Sequence, residues 1–466
     1  MKSNAKSKTT ILIILGTIFA FSILINAKFS YFGWNNSENL EVSIESNLKG
    51  ADYWLLPGAQ IFIDNSNPNY NWSKTANEND WCNGNGSLNN PYVIENVTID
   101  ATSSPTGCGI YINNSQTEYF TIRNVTVYNA GSGYYNAGIK LENTNNGTLK
   151  NNICSNNSGT GIYLENSNHN ILSGNNVNNN NGYGIYLVGN NNTISGNTAC
   201  NNTRDGIMLQ GKLVRNPFWI PTYPEYLQVA SYNNIISGNI VNNNENGIWV
   251  EDSHNNTISG NVANNNTWDG IMLWGSLLIT FRTSYNNTII GNTANYNSRG
   301  IVFVETIENT ISENTVNNNE WYGILLAVGR NNNITGNTAS YNTYGLYISQ
   351  SRDNTIVGNA AYNNTNGIHL DESDYNIISG NIANNNTNGI HLDESDRNTI
   401  TGNTLIGNTV CIVEVNCQEN TFSNNGACTY GQGGNDIIPG YNLLFLLGIL
   451  SVTVILTSKR LKKFLF

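Results

Sequence analysis

Two groups of residues have the types and spacing that chemistry needs. The first is Asp205 and Asp269, each directly before a glycine, with Glu245 between them in the chain. Paired carboxylates can divide general-acid and general-base work, and an inverting glycosidase holds its pair ~6.5 to 9.5 Å apart to admit a water. Trp249, Trp268 and Trp274 lie close by in sequence, and Trp219 and Tyr223 fall between the aspartates, so flat faces for stacking on sugar rings are at hand. The second group is His369 with Asp371 and His391 with Asp393. They sit in a ten-residue run, Thr365 to Asp374, that recurs unchanged at Thr387 to Asp396, 22 residues on. Imidazoles suit Cu²⁺ or Zn²⁺ and carboxylates suit Ca²⁺, so a divalent cation is the cofactor this group would take. Each group also has a plainer reading. The first would be carboxylates hydrating a turn, and the second a solvated turn copied by duplication.

What positions these residues is a repeat. Gly-apolar-x-apolar recurs at Gly138, Gly161, Gly184, Gly206, Gly247, Gly270, Gly300, Gly323, Gly345, Gly367 and Gly389, mostly in steps of 22 or 23 residues. In phase with it runs Asn-x-Ile-x-Gly-Asn, as at Ile236, Gly238 and Asn239, and a third short strand such as Asn381-Ile382-Ala383 follows. Apolar residues alternate with period two, and Asn and Gly saturate the connections, so strands fit and helices do not. One turn of chain per repeat gives an all-β, right-handed parallel β-helix of about 13 coils of 22–23 residues. Asn suits the tight turns by tolerating left-handed backbone, and stacked Asn amides form ladders, with Asn197, Asn239 and Asn261 as examples.

Stacking at ~4.8 Å per coil puts Asp205 and Asp269, two coils apart, at ~9.6 Å. Two steps break the period. The step from Gly206 to Gly247 is 41 residues and inserts Lys212 to Ser231; that from Gly270 to Gly300 is 30 and adds residues near 274–284. Both insertions leave after the same strand, where they would wall a groove. The x position of the Gly-Ile-x-Leu strand should face outward and reads Lys140, Tyr163, Tyr186, Met208, Trp249, Met272, Val302, Leu325, Tyr347, His369, His391. Such a line either grips an extended glycan or stacks on itself to stabilise the sheet.

The ends and the composition set the compartment and the partners. Residues 1–27 read as a signal peptide or signal anchor, 28–90 as a cap with a surface loop, 91–428 as the β-helix, 429–436 as a linker, and 437–466 as a membrane helix with a basic cytoplasmic tail. The chain would then sit on the cell surface. The net charge is −11, and with no basic stripe nucleic acid is not an expected partner. Of seven cysteines, Cys82 with Cys108 and Cys417 with Cys428 are placed to staple the two ends.

The repeat NxIxGNxxxxNxxGIxLxxSxxN, over roughly Pro91 to Asn425, resembles the NosD-like family, also described as carbohydrate-binding and sugar-hydrolase (CASH) domains. The resemblance implies an exported right-handed β-helix that binds polysaccharide, cleaves it, or helps mature a copper site. Pro439-Gly440-Tyr441, with the apolar stretch and basic end after it, resembles archaeal PGF-CTERM sorting signals, with Tyr441 where that class has Phe. The repeat motif builds turns and core, so on sequence the chain reads as a carbohydrate-binding or envelope interaction module, and whether it is an enzyme stays open.

Overall fold

The computed structural model describes residues 54–133, 135–215, 226–275, 284–426, 428–429 and 437–438. Every repeat makes one turn of a parallel solenoid. The Gly-Ile-x-Leu strands form one sheet of 14 strands, from Ile61–Asp64 to Val410–Val415, and the Asn-x-Ile strands form another of 15. In the first sheet, the 13 strands from Ile110–Asn113 to Val410–Val415 mark off 12 turns, in line with the repeat count. The third face is thinner than the repeat suggests. It holds a four-stranded sheet near the N-terminal end and a three-stranded one from Thr338–Ser340 to Ile382–Asn384, with single bridges such as Thr198 to Ile240 between. Its strand positions carry Ala, Thr and Asn, which pack less onto a sheet than the Ile and Leu of the other two.

Inward-facing Ile, Leu and Val from all three faces make one continuous core, with Ile236, Ile258, Ile271 and Leu273 all buried. The N-terminal end begins earlier than the sequence suggests. Trp54–Pro57 pairs with Val97–Asp100, and Ile61–Asp64 pairs with Ile110–Asn113. The polar run expected as a loop contains the helix Trp72–Glu78, whose N-cap Asn71 accepts a hydrogen bond from the Lys74 amide. This helix lays Trp72 over Tyr92, stacked at 5.1 Å, and so plugs the open end of the core.

The asparagines divide into two sets with different work. At Asn233-Asn234 and Asn243-Asn244 the first residue has φ of 57 or 58° and turns the corner, while the second is buried. The buried ones stack in three ladders along the solenoid. Asn239 is typical: its amide N–H and its Nδ2 both donate to Asn261 Oδ1 at 2.9 Å, and its Nδ2 also donates to the Ile194 carbonyl at 2.9 Å. Asn197 donates to Asn239 in the same way. The two repeat glycines also differ. Gly238 needs its φ of 62° and faces open space, whereas a Cβ on Gly206 would stand 2.7 Å from Asn244 Nδ2 and 2.8 Å from the Gly247 carbonyl.

Neither expected disulfide forms, because Cys82, Cys108 and Cys417 are free. Cys82 lies at the edge of the Asn-x-Ile sheet, while Cys108 enters the other sheet just before Ile110. Cys417 continues a column of serines. The Ser351 N–H donates to Ser373 Oγ, that of Ser373 to Ser395 Oγ, and that of Ser395 to Cys417 Sγ at 3.4 Å. Cys411, outside both expected pairs, is disulfide-bonded. Among the described residues no helix is long and apolar enough to cross a membrane. The signal segment 1–27 and residues 439–466 lie outside the described residues. Ile437–Ile438 is a strand paired with Cys428–Thr429, so a spanning helix does not begin at Ile437.

Candidate functional site

The residue before each repeat glycine stacks on its counterpart in the next coil. Asp205, Asn246, Asp269 and Arg299 therefore form one column over four successive coils. They are joined end to end. Asn246 Nδ2 donates to Asp205 Oδ1 at 2.8 Å, and Asn246 Oδ1 accepts the Asp269 N–H at 3.0 Å. Arg299 clamps Asp269 from the other side, Nε to Oδ1 at 2.6 Å and Nη2 to Oδ2 at 2.8 Å. Asp205 is 3% exposed and Asp269 0%. Burial pushes the Asp205 carboxyl up to about 7, against the hydrogen bond from Asn246, and Glu245 pushes it further. Burial raises Asp269 as well, while Arg299 pulls it down.

The carboxylates are thus aligned two coils apart, as the repeat requires, but the gap that an inverting pair keeps for water is bridged by Asn246. Asp269 is committed to its guanidinium, and Glu245 is exposed on the neighbouring column. The column reads as a buried polar brace.

The outward x column is largely covered. Tyr163 and Tyr186 stack at 4.6 Å with ring planes 6° apart, and Met272, Val302 and Leu325 form a second apolar cluster outside the main core. Tyr183, Tyr322 and Tyr344, each just before its glycine, lean onto it. Of the two readings of this column, the self-packed ladder describes it better, because the bulky side chains before the glycines shield what alternation alone would leave open. Trp249 is half-buried and stacks on the exposed Trp274 at 5.7 Å, planes 4° apart. Trp219 and Tyr223 lie outside the described residues; residues 212–215 and 226–229 around them pair as an antiparallel hairpin.

His369 and His391 stack as expected, ring centroids 4.4 Å apart. Asn366 Nδ2 lies 3.3 Å from His369 Nδ1, and Tyr347 donates its hydroxyl to Asp371 at 2.7 Å. Asp371 and Asp393 are in register on the same strands. Burial lowers both imidazoles, His369 to about 4 with His391 adding to the effect, so both are neutral at physiological pH. Among the described residues no group of three or more His, Cys, Asp or Glu side chains is placed to hold a metal ion.

Of the expected sugar-stacking residues, Trp268 falls in a group whose other members, Trp321, Tyr296 and Tyr341, the sequence does not single out. Coils with four residues from ladder Asn to glycine carry one more residue at that corner than coils with three, and two of these extra positions are Trp268 and Trp321. They project at 53% and 49% exposure on one column, two coils apart, with Ser298 between. On the adjacent corner column Tyr296 and Tyr341, at 60% and 61%, hold positions where other coils have Asn, with Asn318 between. The alternation of 22- and 23-residue steps was the signal that could have found them.

The stacked strands define a parallel β-helix, and a family model described as a right handed beta helix region matches residues 108–284, which fixes the hand. A second model, for the periplasmic copper-binding protein NosD, matches residues 275–377. Together the two matches run over residues 108–377 and support a NosD-like right-handed β-helix there. No individually curated protein matches it. Among solved structures it is similar to the A-module of the Azotobacter vinelandii mannuronan C-5 epimerase AlgE4, at 13% identity and TM-score 0.42, covering 74% of this chain and 91% of that one. It is also similar to the periplasmic alginate epimerase AlgG, at 11% identity and TM-score 0.40, covering 78% and 83%. A third is tailspike protein 3 of bacteriophage CBA120, at 13% identity and TM-score 0.43, covering 74% and 54%. The likeness is one of fold. Among the described residues His369 and His391, with ring planes tilted by 57°, are joined by no further His, Cys, Asp or Glu in a group placed to hold a metal ion, so they do not fit the copper of the NosD family description.

Proposed function

We propose that this protein is an extracytoplasmic carbohydrate-binding module that holds an extended, neutral polysaccharide along one corner of its solenoid. The observation that carries the reading is the ledge of Trp268, Trp321, Tyr296 and Tyr341, four exposed rings at alternate coils. Two coils span ~9.6 Å, so successive rings of one column meet successive parts of a ligand running along the axis. Aromatic faces take up the apolar faces of sugar rings, and polar Ser298 and Asn318 between them can reach hydroxyls. A net charge of −11 favours a neutral ligand over a polyanion. The match of residues 275–377 to the NosD model, which is described as periplasmic, supports a place outside the cytoplasm. In this reading residues 1–27 direct export and the apolar C-terminal segment holds the chain at the outer surface.

Binding and not turnover is proposed, since Asp269 is locked by Arg299 and the Asp205–Asp269 gap is bridged by Asn246. A glycan array probed with the full chain, followed by titration of any hit with Trp268→Ala and Trp321→Ala, tests it. Each variant should weaken binding roughly tenfold, the loss of about 1.4 kcal/mol of contact. An array without hits, or variants that bind as the parent does, would overturn the reading.

A further inference from the structure

The corner column that carries Tyr296 and Tyr341 also carries Asn201, Asn265, Asn363 and Asn385, and each of these begins an Asn-Asn-Thr triplet. In each triplet the structure gives the two asparagines opposite fates. The second, Asn202, Asn266, Asn364 or Asn386, is buried and belongs to a ladder, its amide committed on both sides. The first has φ of 57 to 59°, is exposed, and its side-chain amide makes no hydrogen bond among the described residues. The threonine two positions on, Thr203, Thr267, Thr365 or Thr387, is exposed as well. Asn-x-Ser/Thr is the acceptor triplet of N-glycosylation, which needs a free amide nitrogen and a readable hydroxyl on the outside of an exported protein.

The sorting goes further than these four triplets. Ladder asparagines are followed two positions on by Ile, Ala or another residue that is neither Ser nor Thr, as in Asn239-Ile240-Val241 and Asn261-Val262-Ala263. Acceptor triplets are therefore kept off the ladder asparagines, where a sugar on Nδ2 would remove the bond to the coil before, such as that from Asn239 to Ile194.

We infer that Asn201, Asn265, Asn363 and Asn385 are N-glycosylation sites, so that one corner of the solenoid bears a row of covalent glycans. The donor is a lipid-pyrophosphate-linked oligosaccharide. The asparagine Nδ2 attacks the anomeric carbon, an N–C bond forms, the C–O bond to the pyrophosphate breaks, and the lipid pyrophosphate leaves with the electron pair while Nδ2 gives up a proton. Asn363 and Asn385 are on successive coils, ~4.8 Å apart, which is too close for two branched glycans to stand side by side. One of that pair carries sugar in any one molecule. On this column the glycans would flank the two tyrosines, with Asn265 one coil before Tyr296, in the coil of Trp268, and Asn363 one coil after Tyr341.

The inference rests on the extracytoplasmic placement proposed above. The full chain is produced in its native host, fractionated, and compared by intact mass and peptide mass spectrometry with the same chain made in a bacterial cytoplasm that lacks the transferase. Sugar on the four named peptides is expected, with one copy lost in each of Thr203→Ala and Thr267→Ala and retained in Thr203→Ser and Thr267→Ser. For the Thr365 and Thr387 sites, loss is expected only when both are changed to alanine. A chain found outside the cytoplasm at its unmodified mass would overturn the inference and leave the placement intact, as would sugar confined to ladder asparagines. A chain found in the cytoplasm would overturn both.

Discussion

Replacing Asp205 by Asn tests the buried brace most directly, because it removes a titratable group and leaves the shape. The carboxyl sits on a column with Asn246 and Asp269, is 3% exposed, and has its pKa raised from 3.8 to about 7 by burial. The Asn246 amide and Arg204 pull it down, and the exposed Glu245 pushes it up. A carboxyl raised in this way binds its proton more tightly folded than unfolded, so its contribution is complete below pH ~4, falls as the pH rises toward ~7, and is flat beyond. At about 1.4 kcal/mol per pH unit the change across that window is on the order of 4 kcal/mol. Asp205→Asn keeps an oxygen to accept from Asn246 Nδ2 and cannot ionise. Urea midpoints of parent and variant, read at pH 5, 6, 7 and 8, should diverge in favour of the variant, by several kcal/mol at pH 8. Subtracting parent from variant cancels the other titrating groups. A gap that stays constant with pH, or a variant that weakens as pH rises, would refute the reasoning.

Arg299→Ala should cost ~3 to 5 kcal/mol by stranding Asp269, which is 0% exposed, and adding Asp269→Asn should recover a large part; a denaturant double-mutant cycle reads this. Asn239→Ala removes the ladder bonds on both sides and should cost ~2 to 4 kcal/mol, whereas Asn233→Gly, at a corner with φ 57°, should change stability by less than ~0.5 kcal/mol in the same assay. His369 has its pKa lowered to about 4, so the stability it lends is complete above pH ~6.5 and is lost as the pH falls toward ~4; His369→Phe should flatten that part of the pH profile of thermal unfolding.

Much of the fold is legible in the sequence because the solenoid repeats its physics every 22 or 23 residues. Period-two alternation gives the strands, the in-phase glycines give the register, and the excess of Asn gives the ladders. What escaped was local. The split between corner and ladder asparagines depends on which of two identical neighbours takes the left-handed backbone, and Asn233-Asn234 carries no label for it. The disulfide expectation failed because Cys417 stands in a serine column, visible only once the coils are stacked. The acidic pair was found at the right spacing and misjudged in role, since Asn246 and Arg299 act through contacts between coils 23 and 30 residues from Asp269. The ledge was missed because Trp321, Tyr296 and Tyr341 look like ordinary departures from the repeat until the one-residue bulges line them up.

The ladders also govern how the chain can change in length. Each ladder Asn accepts from one neighbour and donates to the other, so every coil presents the same chemical valence on its two edges. A whole coil can be inserted or removed and the bonds close again, which is what the identical runs at Thr365 and Thr387 show, stacked in register with His369 on His391. Part of a coil cannot, unless it leaves the stack at a corner, as the paired segments 212–215 and 226–229 do. Length in this protein is therefore quantised in single turns, and new side chains reach solvent only where a corner opens.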